Sequence, residues 1–296
     1  MTEQRFNTIS FLSDYGLADE FVGVTKSVIR TISPEVVVID ITHDIDAHDV
    51  RGGGLALARS AQYMAPGVVL AVVDPGVGTE RKPLVVQVGD GQSYLVGPDN
   101  GLFAPAVSLV GGATGAVVLD NADYHLPSPG PTFAGRDIFA PVAAHLCNGV
   151  PMDELGTSID PQRLLPGVLA VSDQADDGSI KAEILWIDRY GNAQLNVDPA
   201  DLDTWPEHVS IEGGRTTRTA QRVTAFAEIS TGSVGLIVDS YGLVSLAVDR
   251  GSAAFELEIN EGDALTLRPA DGGVAPVAVS LGAKPTTTPP LPEDPS

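Results

Sequence analysis

The chain has a single cysteine, Cys147, in 296 residues. One thiol cannot form an internal disulfide and excludes a zinc site built on cysteines. Cys147 lies in an apolar helical pattern and reads as a small core residue. Basic residues are also scarce, 17 against 39 acidic, for a formal net charge of -22. Such a surface repels nucleic acid and anionic membranes. A generally acidic proteome accounts for that charge without any ligand, so it is only a weak pointer to a cationic one. No run is long and apolar enough to span a bilayer. The N-terminal MTEQRFNTISF lacks the basic start and apolar centre of a signal peptide. These absences predict a cytoplasmic protein with no nucleic-acid or membrane partner. A P-loop, a dinucleotide glycine fingerprint and a serine nucleophile elbow are all missing, which disfavours phosphoryl transfer and acyl-enzyme chemistry.

What is present is a chain of two characters. At 43% hydrophobic it can build a real core. In the first half strand and helix signals alternate. Thr8–Leu12, Val36–Ile41 and Val68–Val73 read as buried strands. Phe21, Val24, Val28, Ile29 and Ile32 repeat at helical spacing. Asp49 to Met64 reads as a second helix, its start weakened by Gly52, Gly53 and Gly54. Leu84–Val88 and Tyr94–Val96 form a hairpin pattern around Gly89-Asp90-Gly91, and Ala116–Leu119 is a further strand. This alternation predicts an α/β domain with a mostly parallel sheet. After about Ile159 helical periodicity gives way to short strands: Ile180–Asp188, Ala193–Val197, His208–Ile211, Arg222–Phe226, Val234–Val238, Leu243–Val248, Phe255–Ile259 and Ala264–Arg268. They predict a small all-β, barrel-like domain. The expected division is 1–165 for the α/β catalytic domain, 166–180 for a linker, 181–270 for the barrel and 271–296 for an extension. At least 284–296, KPTTTPPLPEDPS, is expected to be disordered.

The chemistry points to the stretch VVLAVVDPGVGTER, Val68 to Arg81. A buried strand ends abruptly at Asp74-Pro75-Gly76, which sets a carboxylate at the rim of the sheet. Gly76 and Gly78 keep the following loop free of side-chain bulk, and Arg81 follows after a turn long enough to fold back. Ligands of open α/β sheets bind beyond the strand C-termini. Asp14 and the pair Asp40 and Asp44 lie around the ends of the neighbouring strands, and a carboxylate there suits a sugar diol. Each is equally suited to a helix cap or turn. The loop THDIDAHD, with His43, Asp44, Asp46, His48 and Asp49, has metal-binding residue types but no metal-ligand spacing, and two or more of these residues suffice as caps. In the second half Asp188 and Asn192 form a turn pattern. An Asn amide can read an adenine edge, and Tyr190 and Phe226 can stack on a base.

In order along the chain, Ser13-Asp14-Tyr15-Gly16 with Asp19, Thr42-His43-Asp44-Ile45, Val73-Asp74-Pro75-Gly76-Val77-Gly78-Thr79 with Arg81, Pro98-Asp99-Asn100-Gly101, Thr132-Phe133-x-Gly135-Arg136-Asp137, Ile187-Asp188-x-Tyr190-Gly191-Asn192 and Asp239-Ser240-Tyr241-Gly242 resemble the motifs of the adenosine-forming S-adenosyl-L-methionine (SAM) hydrolases, or SAM hydroxide adenosyltransferases. SAM-dependent fluorinases and chlorinases share that fold. The resemblance implies an α/β domain, a C-terminal β-barrel and a homotrimer. SAM would lie between one subunit's first domain and its neighbour's second. By position, Asp14 would hold the ribose hydroxyls, and Asn192 would read adenine with Phe226 stacked near it and backbone around Val248 helping. Asp19, Asp188 and Ser240 would hold the methionine end. His48, Asn100, Phe133 and Tyr190, within or beside these motifs, are further substrate-binding candidates. Asp74 and Arg81 match two members of the family's Asp–Arg–His set around the attacking water. The third position is Ala134 here, where family hydrolases carry histidine; this implies that binding survives with a lowered rate.

The function these readings imply is hydrolysis of SAM to adenosine and L-methionine, with SAM as substrate and no cofactor or metal. The alternatives are a SAM- or adenosine-binding protein with little turnover, a SAM-dependent halogenase and a metal-dependent hydrolase using Thr42–Asp49. The last is checked directly: adenosine release is expected to be unchanged by a chelator, and loss of activity restored by a divalent cation would contradict the metal-free reading.

Overall fold

A computed structural model describes residues 6–167, 171–213 and 216–270. The extension 271–296, including the tail expected to be disordered, lies outside the described residues. The first domain contains β1 (Thr8–Ser13), α1 (Phe21–Ile32), β2 (Val37–Thr42), α2 (Val50–Ala61), β3 (Val68–Val72), β4 (Pro83–Val88), β5 (Ser93–Pro98), α3 (Ala104–Leu109), β6 (Ala113–Val118), α4 (Ala140–Cys147) and β7 (Thr157–Ile159). Its sheet has the order β2-β1-β3-β5-β4-β6-β7. The first four strands run parallel, as the alternation predicts, and the hairpin β4–β5 turns the remainder antiparallel.

Strand β3 shows why a continuous apolar run is needed at the centre of such a sheet. Val68, Leu70 and Val72 face one core with Ile29 of α1 and Val142 and Leu146 of α4. Val69, Ala71 and Val73 face a second core with Leu57 of α2 and Leu102. A strand with helices on both faces has no solvent side on which to place polar residues. The glycines at the start of α2 serve this packing. A Cβ on Gly53 would lie 2.9 Å from Val73 Cγ2, and one on Gly54 3.1 Å from the Leu102 carbonyl oxygen. Asp49 caps α2 by accepting from the Gly52 amide at 2.9 Å, which recovers part of the helix propensity that the glycines give up.

Strand β2 departs from expectation. It is an edge strand rather than a buried one, with Val37 59% and Ile39 44% exposed. Its apolar pattern is that of an inner strand, but only β1 pairs with it among the described residues.

The second domain contains β8 (Asp173–Gln174), β9 (Ile180–Ile187), β10 (Ala193–Leu195), β11 (His208–Gly213), β12 (Thr216–Arg222), β13 (Val234–Val238), β14 (Val244–Val248), α5 (Ala253–Leu257) and β15 (Ala264–Ala270). Seven of these strands close a barrel in the order β9-β10-β14-β13-β12-β11-β15, with β15 returning to β9. Strand β8 pairs with the start of β9. Inward residues such as Ile184, Leu195, Val209, Leu236, Leu246 and Leu267 fill the barrel.

Two of the expected strands are not there. Arg222–Phe226 is the end of β12 followed by a turn in which Thr224 and Glu228 bond each other, the Thr224 amide donating to Glu228 Oε2 at 2.8 Å. Phe255–Ile259 is replaced by α5, whose cap Ser252 accepts from the Phe255 amide at 3.1 Å. Apolar pattern alone does not separate a short strand from a short helix; the cap decides it.

Cys147 is buried on α4, and burial pushes its thiol up to about 12, consistent with a packing residue rather than a reactive one. Burial also lowers the basicity of His125 and His145 below the ordinary 6.5. The unfolded chain then takes up protons near that pH which the folded chain refuses, so stability is full above it and falls as the pH drops below it. The thermal midpoint is expected to fall between about pH 7.5 and about pH 5.5, and His145→Gln to reduce that fall. An identical fall in the variant would contradict this assignment.

Candidate active site

Strands β1 and β3 are adjacent and parallel, yet their crossovers lie on opposite faces of the sheet: α1 leads from β1 to β2 and α2 from β2 to β3. The gap at their C-terminal ends is the place where such sheets receive ligands. The register Ser13↔Val72 brings Asp14 and Asp74 to this gap. The Asp14 amide donates to the Val72 carbonyl at 3.4 Å, and Asp14 Oδ2 accepts from the His48 amide at 3.0 Å.

Asp74 and Arg81 form a two-pronged ion pair. Arg81 Nε donates to Asp74 Oδ1 at 2.7 Å and Nη2 donates to Oδ2. Both side chains are nearly buried, Asp74 at 6% and Arg81 at 12% exposure. The intervening loop folds back through bonds from the Val77 amide to the Asp74 carbonyl (3.2 Å) and the Thr79 amide to the Gly76 carbonyl (3.2 Å). The Arg81 guanidinium also lies 5.2 Å from the Phe139 ring. Asn100 is spent on this scaffold: its Nδ2 donates to the Val73 carbonyl at 2.8 Å and its Oδ1 accepts from the Leu102 amide at 3.2 Å.

Tyr15, Phe21 and Phe133 pack ring to ring beside the pair, with centroids 5.2 to 5.8 Å apart. Ala134 is buried just before a π-helical turn, Gly135–Phe139, that enters α4. Asp19 is exposed ahead of α1, with no side-chain hydrogen bond among the described residues.

The loop Thr42–Asp49 is divided among separate tasks. His43 is buried, its Nδ1 2.8 Å from Ser13 Oγ and its ring 4.6 Å from Phe11. Its Nε2 comes within 3.2 Å of Asp40 Oδ1, in a direction poor for a hydrogen bond. Asp40 in turn accepts from Lys26 at 2.6 Å. Burial opposes the Asp40 charge, but Lys26 and His43 together outweigh it and its carboxyl sits below the usual range. The His48 backbone serves Asp14, and Asp49 caps α2.

The barrel carries a cavity of about 960 Å³ lined by Asp188, Tyr190, Asn192, Phe226, Ser240 and Val248 together with Trp186, Asp239 and Tyr241. Six predicted binding residues therefore share one cavity. Two turns of the same design frame it, Asp188-x-Tyr190-Gly191 and Asp239-x-Tyr241-Gly242. In each the aspartate carboxylate accepts from the amides two and four residues on: Tyr190 (2.8 Å) and Asn192 (2.9 Å) in one, Tyr241 (2.8 Å) and Leu243 (3.2 Å) in the other. Each glycine is left-handed, with φ 84° at Gly191 and 85° at Gly242. The remaining oxygens reach side chains. Asp188 Oδ2 accepts from Asn192 Nδ2 at 2.8 Å, and Asp239 Oδ2 accepts from Gln194 Nε2 at 2.6 Å and Ser245 Oγ at 3.0 Å. Asp188 thus orients Asn192, leaving the Asn192 Oδ1 with no partner among the described residues. Phe226 is 50% and Tyr190 78% exposed at the cavity.

From the first domain, α2 braces this cavity. Arg59 stacks 4.0 Å from the Trp186 ring, and the Tyr63 hydroxyl donates to the Ser240 carbonyl at 3.4 Å. Sequence reasoning missed this brace and the pairing of the two turns. The repeated D-x-Y-G was the available signal for the turns; nothing local announced the brace.

The sheet-end group, Asp14, His48, Asp74, Arg81, Phe133 and Ala134, contributes nothing to the lining of the barrel cavity. Within one chain these are two separate groups, one with an oriented carboxylate and one with a ring-sized cavity.

An open α/β sheet with a carboxylate–guanidinium pair at its switch point, followed by a closed barrel with a polar-framed cavity, defines a two-domain small-molecule enzyme. Residues 9–156 match the family model for the SAM hydroxide adenosyltransferase N-terminal domain and residues 182–266 that for its C-terminal domain. The chain belongs to this family. It is 42% identical to an (R)-S-adenosyl-L-methionine hydrolase of Salinispora tropica, over 87% of this chain and 96% of that one. It is 38% identical to a hydrolase of the same name from Thermus thermophilus, over 86% and 96%. The crystal structure of an uncharacterized conserved protein from Thermotoga maritima superposes with a TM-score of 0.81 at 32% identity, covering 88% of this chain and 99% of that one.

Removing one partner of a buried ion pair leaves the other charge uncompensated. Arg81→Met is expected to cost about 3 kcal/mol in urea unfolding, and the double change Asp74→Asn with Arg81→Met to recover most of it. A single variant as stable as the parent would show that the pair does not hold the loop.

Proposed function

We propose that this chain hydrolyses SAM to adenosine and L-methionine, in sites completed between neighbouring copies of the chain in a homotrimer. The observation that carries the reading is the Asp74–Arg81 pair at the β1/β3 gap, inside a chain that belongs to this family. Asp14 takes the ribose hydroxyls. Asn192, held by Asp188, reads the adenine edge through its free Oδ1, with Phe226 and Tyr190 offering rings and Val248 its backbone. Asp19, Asp188 and Ser240 face the methionine ammonium and carboxylate, and His48, Asn100 and Phe133 shape the sheet-end half.

The chemistry suits so sparse a site. A sulfonium leaves as a neutral thioether, so the leaving group needs no acid. The water oxygen bonds to ribose C5′ as the C5′–S pair returns to sulfur, and Asp74 accepts the proton. Holding the water in line with the C–S bond supplies much of the rate. Arg81 fixes the plane of the carboxylate and gives it an opposite charge. The reaction calls for no cofactor, and SAM is the substrate. A halide in the same place would face the Asp74 carboxylate and be repelled, which favours water over halogenation. Ala134 leaves the water without an imidazole, so turnover is expected to be low while binding is kept. The buried, unpaired Cys147 suits a reducing compartment, and the enzyme is read as cytoplasmic.

Two half-sites that do not meet within one chain support completion by a neighbour. So do the exposed Leu17 and Phe21 beside Asp14 and the exposed Tyr190, Phe226 and Val238 at the barrel.

Incubation with SAM is expected to release adenosine and methionine in equal amounts by chromatography. No release would end the hydrolase reading. Asp74→Asn and Asn192→Ala chains are each expected to be nearly inactive alone but to regain activity when co-expressed, because one mixed interface is then intact. Failure of the mixture to recover would mean that each site lies within a single chain.

A further inference from the structure

The Tyr15 hydroxyl has a place but no hydrogen-bond partner among the described residues. Tyr15 stands two residues beyond Ser13 on β1, and Asp74 stands two beyond Val72 on β3; Ser13 and Val72 are in register. Tyr15 and Asp74 therefore leave the sheet at the same end, on neighbouring strands. Its ring is fixed on three sides, 5.7 Å from Phe133, 5.8 Å from Phe21 and 6.4 Å from Phe11. Its hydroxyl rests against Gly135, where a Cβ would fall 2.0 Å from the oxygen. No hydrogen bond from the described residues reaches that hydroxyl, which leaves it free to bind a water.

We propose that Tyr15 is a catalytic residue whose hydroxyl holds the attacking water jointly with Asp74. This rests on the hydrolase reading above. Asp74 already has each oxygen engaged by Arg81, so its carboxylate is fixed, but a water bound by one acceptor alone can still swing about it. A second contact from the neighbouring strand end fixes the oxygen and aims its free lone pair at C5′. Burial, then the charges of Asp14 and Asp74, raise the pKa of the phenol, with Arg81 opposing. It therefore stays protonated and acts as a donor. In the reaction the O–C5′ bond forms, the C5′–S pair goes to sulfur, one water proton passes to Asp74, and Tyr15 donates a hydrogen bond while keeping its proton.

Tyr15→Phe keeps the ring cluster and removes only the hydroxyl. Gly135→Ala leaves the phenol intact but drives its oxygen from its place. With SAM as substrate, each variant is expected to lower kcat about ten-fold or more while KM stays within about two-fold. The Tyr15→Phe melting temperature should stay within a few degrees of the parent, and the double variant should fall no lower than the poorer single, because both changes remove the same contact. A smaller loss in Tyr15→Phe, a KM that rises in step with the loss, or losses that multiply in the double variant would overturn the proposal by reducing Tyr15 to a packing residue. If the parent chain itself releases no adenosine, the hydrolase reading falls first and this role falls with it.

Discussion

The buried pair of Asp74 and Arg81 is the constraint around which the first domain is arranged. A carboxylate at 6% exposure is tolerable only with a partner that is itself held in place. The Asp74-Pro75-Gly76 turn, the bonds of Val77 and Thr79 and the packing of Arg81 on Phe139 supply that hold. Asn100 secures the strand end from the other side by bonding the Val73 carbonyl. The result is a carboxylate whose position is set by the strand end and its bonded turn, which suits the role of base proposed for it in the in-line displacement.

The barrel solves a different problem. In the complex proposed above it presents hydrogen-bonding groups to a planar ring and a zwitterionic end without leaving buried polar atoms unpaired. Two D-x-Y-G turns do this with one design: the aspartate is consumed by the turn's own amides, and the neighbouring residue, Asn192 or Ser240, is left to face the cavity. Asp188, expected from sequence to touch ligand, is thus also the group that keeps its turn rigid. Helix α2 ties this half to the first domain through Arg59 on Trp186, Tyr63 on Ser240 and the Arg51–Glu183 ion pair.

Much of this was legible in the sequence because the relevant signals are local and strong. Strand β3 is an unbroken apolar run that ends in a forced turn, and it falls where such a run must, between two helical layers. What failed to show depends on non-local facts. Val37 and Ile39 look like core residues, but strand order leaves β2 at the edge. The polar run Thr216–Arg222 hides β12, because barrel closure rather than alternation holds it in the sheet. One miss is local instead: Phe255 to Ile259 resembles a strand until the Ser252 cap, three residues before it, is considered. Tyr15 lies inside a motif that sequence reading quoted, yet only the contact of its hydroxyl with Gly135, 120 residues further on, separates it from an ordinary packing tyrosine.

The most direct measurement of the central claim is a crystal structure of the chain with SAM bound. The account predicts one ordered water within hydrogen-bond reach of Asp74, lying behind ribose C5′ and in line with the C5′–S bond. A complex in which Asp74 turns away from C5′, or in which C5′ lies far from the ends of β1 and β3, would contradict it.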